Sequence, residues 1–293
     1  MHTGIPPYVQ DPNQQQIDKI CTLILNLRDP TKKHLACKAL SEMREHYHQN
    51  LPILIWYSPG TISALLQEII STYPFLSPPT LTKNHSDRIC HVLGLFQCLV
   101  LNDVTKPLFM QADLHIYLFP LINKQIRQVP YDQLKVSSLG VIGALVKAKD
   151  PNTIQTLVGT EIIALCLKIM KKGTQLSRIV STYIVQKILS DRNGLAFICN
   201  TDERLLALSQ ILYDIIEDLS QTPNSAADKE NQRLLRHVLG CYQSLAENPN
   251  THSHLIAKMP ETLKNPNTPI IGADQGAIKK THLQILATLN LLR

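Results

Sequence analysis

The chain has 293 residues, 44% hydrophobic and 18% charged, with a formal net charge of +6. That composition can bury a core and excludes a disordered chain, which would be poorer in apolar residues and richer in charge. No apolar run reaches the roughly 18 residues of a membrane-spanning helix, and the modest basic excess permits an acidic partner or nucleic acid without requiring either.

Met1 to Asn13 is polar and broken by Pro6, Pro7 and Pro12, so it reads as a disordered tail. It lacks the basic start and apolar stretch of a signal peptide. Residues 14–293 are expected to form a single domain. Helical spacing begins with Ile17, Ile20, Cys21 and Ile24 and breaks at Asp29-Pro30-Thr31. Trp56 lies in the apolar run Leu51 to Tyr57, where a core position is the ordinary reading. Ile62, Leu65, Leu66, Ile69 and Ile70 make the next stripe, ended by Ser77-Pro78-Pro79-Thr80. Asp150-Pro151-Asn152 precedes a stripe at Ile162, Leu165 and Ile169, and Asn248-Pro249-Asn250 supplies a late break. No stretch alternates with the period of a strand, so the fold class is all-α. The seven cysteines, Cys21, Cys37, Cys90, Cys98, Cys166, Cys199 and Cys241, form no C-x-x-C pair and mostly sit in apolar runs. They read as buried free thiols in a reducing compartment; the expected location is the cytoplasm, with a nuclear pool.

The pattern repeats. Leu93-Gly94-Leu95-Phe96-Gln97-Cys98-Leu99 aligns with Leu139-Gly140-Val141-Ile142-Gly143-Ala144-Leu145 and with Leu239-Gly240-Cys241-Tyr242-Gln243-Ser244-Leu245. A degenerate copy surrounds Ser181 to Lys187, and the polar, proline-bearing segment Gln221 to Gln232 lengthens the last interval. Spacings of about 40 to 47 residues predict an armadillo or HEAT solenoid, here of about six armadillo-like repeats, with a general helical bundle as the alternative.

The glycines of "SSLGVIGALVK" each cost about 1 kcal/mol against alanine in a helix. A phosphate loop does not explain them, because the spacing is wrong and Ala148 follows Lys147. On a helical wheel Leu134, Leu139, Val141, Ile142, Leu145 and Val146 form the core face, leaving Gln133, Val136, Gly140, Gly143, Ala144 and Lys147 opposite. In the preceding copy Cys90, His91, Gly94 and Cys98 lie opposite the apolar stripe. Leu176, Val180, Tyr183 and Lys187 do so in the degenerate copy. Small residues let another backbone approach. Either these faces form a groove for a partner, or they permit tight packing between neighbouring helices.

No constellation points to catalysis or a cofactor. His46-Tyr47-His48, with His34, Glu42 and Glu45 nearby, and His252-Ser253-His254 both space their histidines by two, which diverge on a helix and cannot chelate from one face. Motifs of zinc proteases, serine hydrolases and dinucleotide sites are absent. Basic clusters occur at Lys32-Lys33, Lys168 with Lys171-Lys172, Arg233 with Arg236, and Lys279-Lys280. A solvated face is their ordinary reading. Lys147, Lys168, Lys171, Lys172 and Lys187 are the candidates for phosphate contact, which keeps a nucleic-acid-binding armadillo protein as the alternative function.

The stretches "TISALLQEIISTYPFLSPPTLT", "SSLGVIGALVK", "LCLKIM" and "VQKILSDRNGLAFIC" resemble the required-for-cell-differentiation (Rcd) family, the armadillo-repeat subunit of the Ccr–Not mRNA deadenylase complex. The likeness runs from about Ile17 to Leu292. It implies a non-catalytic adaptor of six armadillo repeats that promotes deadenylation, decay and translational repression of target messages. The resemblance implies docking on the Not scaffold subunit near Trp56, Tyr57, Pro59 and Ser63. It also implies capture of helical peptides from RNA-binding regulators in a concave groove, whose residues here are His91, Gly94, Gln133, Val136, Gly140, Ala144, Val180 and Tyr183. Weak nucleic-acid binding and a homodimer are further partners left open; a membrane is not. The family's Trp-His-Ser-Phe-Gly reads Trp56-Tyr57-Ser58-Pro59-Gly60 here, and an aromatic expected at position 133 is Gln133. A second family surface, which holds tryptophan side chains, is weakened, because its Tyr-Glu-Arg is Asp202-Glu203-Arg204 and the arginine after Asn-Pro is Asn250.

Overall fold

The computed structural model describes residues 14–47, 49–148, 150–222, 228–271 and 276–291. The tail read at Met1 to Asn13, His48 and the middle of the Gln221–Gln232 segment lie outside them. The helices are α1 (Gln14–Asn26), α2 (Lys33–Met43), α3 (Asn50–Tyr57), α4 (Thr61–Ile70), α5 (Lys83–Leu101), α6 (Thr105–Gln111), α7 (Phe119–Asn123), α8 (Val129–Lys147) and α9 (Pro151–Val158). There follow α10 (Ile162–Lys172), α11 (Gln175–Leu189), α12 (Arg192–Cys199), α13 (Asp202–Gln221), α14 (Lys229–Ala246), α15 (His252–Lys258), α16 (Glu261–Lys264) and α17 (Gly276–Thr288). Among the described residues there is no strand.

The breaks seen in the sequence are the helix starts. Asp150 caps α9 by accepting from Asn152 N at 3.1 Å, with Pro151 in the first turn, where its missing N–H costs nothing. Asp191 caps α12 and Asp228 caps α14 in the same way, while Asn248 accepts from Asn250 N at 3.1 Å. Each cap contributes about 1 kcal/mol and fixes where one helix gives way to the next.

By contacts the chain forms two compact units, divided between Leu145 and Val146. In the first, α5 is central and packs on α2, α3, α4 and α6. Its Ile89, Val92, Leu93, Leu95, Phe96, Leu99 and Val100 are buried, with the Phe96 and Phe109 rings edge to face at 5.3 Å. A Cβ on Gly94 would come within 2.8 Å of Ser41 Oγ on α2, so at this glycine the absent side chain serves helix packing.

In the second unit α11 packs on α10 and α14, and α14 on α17. The approach of α11 to α14 is closer than a methyl group allows: a Cβ on Gly240 would lie 2.5 Å from Gln186 Cδ. Gln186 is held across that glycine by His237 Nδ1, which donates to Gln186 Oε1 at 2.8 Å. The His237 ring in turn meets Tyr183 at 5.3 Å between centroids. Burial, reinforced by Arg233, Arg236 and Lys187, pushes the His237 pKa down from 6.5 to about 4.

Two outcomes are expected from this packing. Gly240→Ala must displace Gln186 from His237 and should destabilise the fold by about 1–3 kcal/mol, whereas Gly140→Ala, whose Cβ would meet only Gln97 Nε2 at 3.9 Å, should stabilise by about 0.5–1 kcal/mol. Denaturant titration checks both, and equal effects at the two positions would contradict the packing. The second outcome concerns acid. A histidine whose folded pKa lies below its unfolded value contributes stability above about pH 6.5 that is lost as the pH falls toward 4. The melting temperature should therefore drop across that window, and His237→Gln should show a shallower drop. Parallel pH profiles for the two proteins would refute the assignment.

Candidate functional site

The outward face of α8 in the first unit is set by hydrogen bonds to the segment before it. Ser86 Oγ donates to the Pro130 carbonyl at 2.8 Å, and Gln133 Nε2 donates to Asp87 Oδ1 at 2.9 Å. Cys90 Sγ and Ser137 Oγ lie 3.2 Å apart. These contacts run along α5 and α8 at successive turns and leave Gln133, Val136, Ser137 and Gly140 half-buried, at the i, i+3, i+4, i+7 spacing of one helix stripe. His91, half-buried on α5, borders a cleft of about 560 Å³ that Lys38, Asp87, Arg88 and Gln133 also line. Burial lowers the His91 pKa, with Lys38 and Arg44 acting the same way and Glu42 and Asp87 opposing.

Charge in that cleft is compensated. Glu68 binds Arg88 at 2.8 Å and Lys33 at 3.3 Å, and Lys38 reaches Glu42 at 4.0 Å. What the stripe offers is a flat, uncharged strip of α8 beside a polar cleft.

Two residues expected on the open side are not there. Gly143 is buried and Ala144 is only 6% exposed, since every residue from Val141 to Val146 is buried. From Val141 to Val146 α8 is covered all round, as a helix segment without a polar face must be. Cys98 is likewise buried. Gly94 is half-buried, but Ser41 and Arg44 occupy the space above it.

In the second unit Leu176, Val180, Tyr183 and Lys187 lie along one edge of α11, with Leu176 41% exposed and the other three half-buried. The Lys187 ammonium sits 5.6 Å from the centre of the Tyr183 ring, a cation–π pair. The other candidate lysines are dispersed. Lys147, Lys168, Lys171 and Lys172 are exposed, but Lys171 shares a pocket with Asp214, Glu217 and Asp218 from α13, and Asp218 also pairs with Arg178 at 3.1 Å. A continuous basic track through Lys171 is therefore interrupted by carboxylates.

The segment expected to meet a scaffold is the α3–α4 turn of the first unit. Ser58 caps α3 by donating its hydroxyl to the Leu54 carbonyl at 2.6 Å, and Arg28 donates to the Pro59 carbonyl. Gly60 takes φ +77°, a left-handed conformation that disfavours any side chain and turns the chain into α4. The result presents Tyr57 (48% exposed), Pro59 and Ser63 on the surface, with Trp56 half-buried beneath.

The histidines of His252-Ser253-His254 are hydrogen-bonded within the fold. His254 Nε2 bonds Ser209 Oγ at 3.0 Å and His252 Nε2 bonds the Ala246 carbonyl at 2.8 Å. Among the described residues no group of three His, Cys, Asp or Glu side chains is placed to hold a metal. Arg204 is also engaged within the fold, stacked 3.8 Å from the centre of the Phe197 ring.

Solved structures of designed armadillo repeat proteins share this fold. One superposes with a TM-score of 0.65 at 14% identity, covering 92% of this chain and all of its own. A second, designed for modular peptide recognition, gives 0.63 at 12% identity, covering 92% of this chain and 99% of its own. At such low identity they establish the all-α armadillo architecture alone. Cell differentiation protein rcd1 of Schizosaccharomyces pombe is 40% identical over 267 residues, 91% of this chain and 92% of that protein. Protein CAF40 of Saccharomyces cerevisiae is 40% identical over 261 residues, 88% of this chain and 68% of that protein. With the model of the cell differentiation family, Rcd1-like, matching residues 23–289, the chain belongs to that family.

Proposed function

We propose that the protein is a non-catalytic adaptor of the Ccr–Not deadenylase complex that captures helical peptides of RNA-binding regulators, so that the messages they carry are deadenylated, repressed and degraded. Its place of action in this reading is the cytoplasm, with a nuclear pool. Family membership supports the complex. Peptide capture is carried by one observation: Gly140 has room for a methyl group and does not have one. A glycine that packing does not require, kept at about 1 kcal/mol of helix stability, is accounted for by a partner lying flat on the half-exposed stripe of Gln133, Val136 and Gly140. The exposed α3–α4 turn is the proposed contact with the Not scaffold, through Tyr57, Pro59 and Ser63.

The two surfaces are separable by mutation. Gly140→Trp should reduce peptide capture at least about tenfold, shift the melting temperature by no more than about 2 °C, and leave co-purification of the scaffold intact. Tyr57→Ala combined with Ser63→Arg should do the reverse. Affinity purification of the tagged wild type should recover the Not scaffold and deadenylase subunits; recovery of neither would overturn the assignment to the complex. A large fall in the melting temperature of Gly140→Trp would show instead that the stripe is a packing surface.

A further inference from the structure

The α11–α14 face of the second unit carries three cations that form no ion pair with a carboxylate among the described residues. Arg233 and Arg236 are exposed on α14, one turn and one residue before His237. Among the described residues no carboxylate is within ion-pair distance of either arginine or of Lys187. This is unlike Arg178 and Arg88, which are both paired with carboxylates. All three cations act on His237, whose ring meets Tyr183, and the Lys187 ammonium sits 5.6 Å from the centre of the Tyr183 ring. Beside them Leu176 and Val180 continue the same edge of α11 as an apolar strip.

We propose that this face selects acidic partners: it takes an amphipathic helix whose apolar side lies on Leu176, Val180 and Tyr183 and whose carboxylates meet Lys187, Arg233 and Arg236. The inference rests on the reading of the protein as a peptide-capturing adaptor and concerns the second unit's face by itself. Three like charges held together repel one another, and an incoming row of Asp or Glu relieves that repulsion while steering the encounter. Arginine suits the task because its planar fork meets carboxylates in pairs. A phosphate backbone would also meet the cations, but it has no apolar side for Leu176 and Val180. The Tyr183 ring already meets His237 and Lys187, so it offers no free platform for a base.

The test is selection of a displayed library of randomised helical peptides on the full chain, alongside a double charge reversal, Arg233→Glu with Arg236→Glu. Both arginines are exposed, so circular dichroism and a cooperative melt should show the double variant folded. Peptides enriched on the wild type should carry an excess of Asp and Glu on one side. Their affinity should fall at least about tenfold on the double variant, and also fall with added salt. Enriched peptides with no acidic excess would overturn the proposal while leaving peptide capture standing. Failure to enrich any helical peptide would overturn both. If the double variant instead loses binding of a single-stranded RNA oligonucleotide and keeps its peptides, the patch reads phosphate and the proposal falls.

Discussion

Gln186 lies across the bare backbone of Gly240, and this contact sets how closely α11 and α14 approach. An armadillo repeat cannot cover its own apolar face, so each repeat depends on how closely the next can approach. At this contact α14 carries no side chain, and the amide of Gln186, fixed by His237, fills the space. Around that contact Ile179, Ile184, Ile188, Leu235, Val238 and Leu239 are all buried. The stability gained by burying them exceeds the helix cost of one glycine several times over, at about 1.5–3 kcal/mol per large apolar side chain.

The same economy makes the exception informative. Gly94 and Gly240 are glycines because a neighbour occupies their space, by Ser41 in one case and Gln186 in the other. Gly140 stands at the equivalent place in its repeat, yet only Gln97 comes near, at ordinary contact distance. Three copies of one sequence motif thus serve two physical ends. The third is intelligible as a surface, and it coincides with the strip of α8 that its hydrogen bonds with Ser86 and Asp87 of α5 leave half-exposed.

Much of the fold was legible in the sequence because the signals are local. Asp150-Pro151 and Asn248-Pro249 announce helix starts through their own caps, and the Leu-Gly repeats announce a stack. What a helical wheel could not supply is the identity of the neighbour. It assigned Gly143 and Ala144 to an open side because they are small, whereas α8 is covered on every side from Val141 to Val146. It could not tell Gly94 from Gly140, since the difference lies in Ser41, a residue of another helix. Nor could the sequence show that Lys171, a candidate for phosphate contact, shares a pocket with Asp214, Glu217 and Asp218 from a helix more than forty positions along the chain. The Arg233–Arg236 pair was visible as a cluster, but its partnership with Lys187 and Tyr183 exists only once α11 and α14 are packed.

The central claim is that the Gly140 stripe is open in the free protein and covered in the working complex. Its most direct test is the rate at which a cysteine introduced by Gly140→Cys reacts with a maleimide, followed by peptide mass spectrometry. The rate would be measured on the purified chain and again after the chain has assembled with its co-purifying partners. The account predicts rapid labelling of the free chain, far faster than at the buried Cys98 or Cys241, and strong protection in the assembly. Slow labelling of the free chain, or unchanged labelling in the assembly, would contradict it.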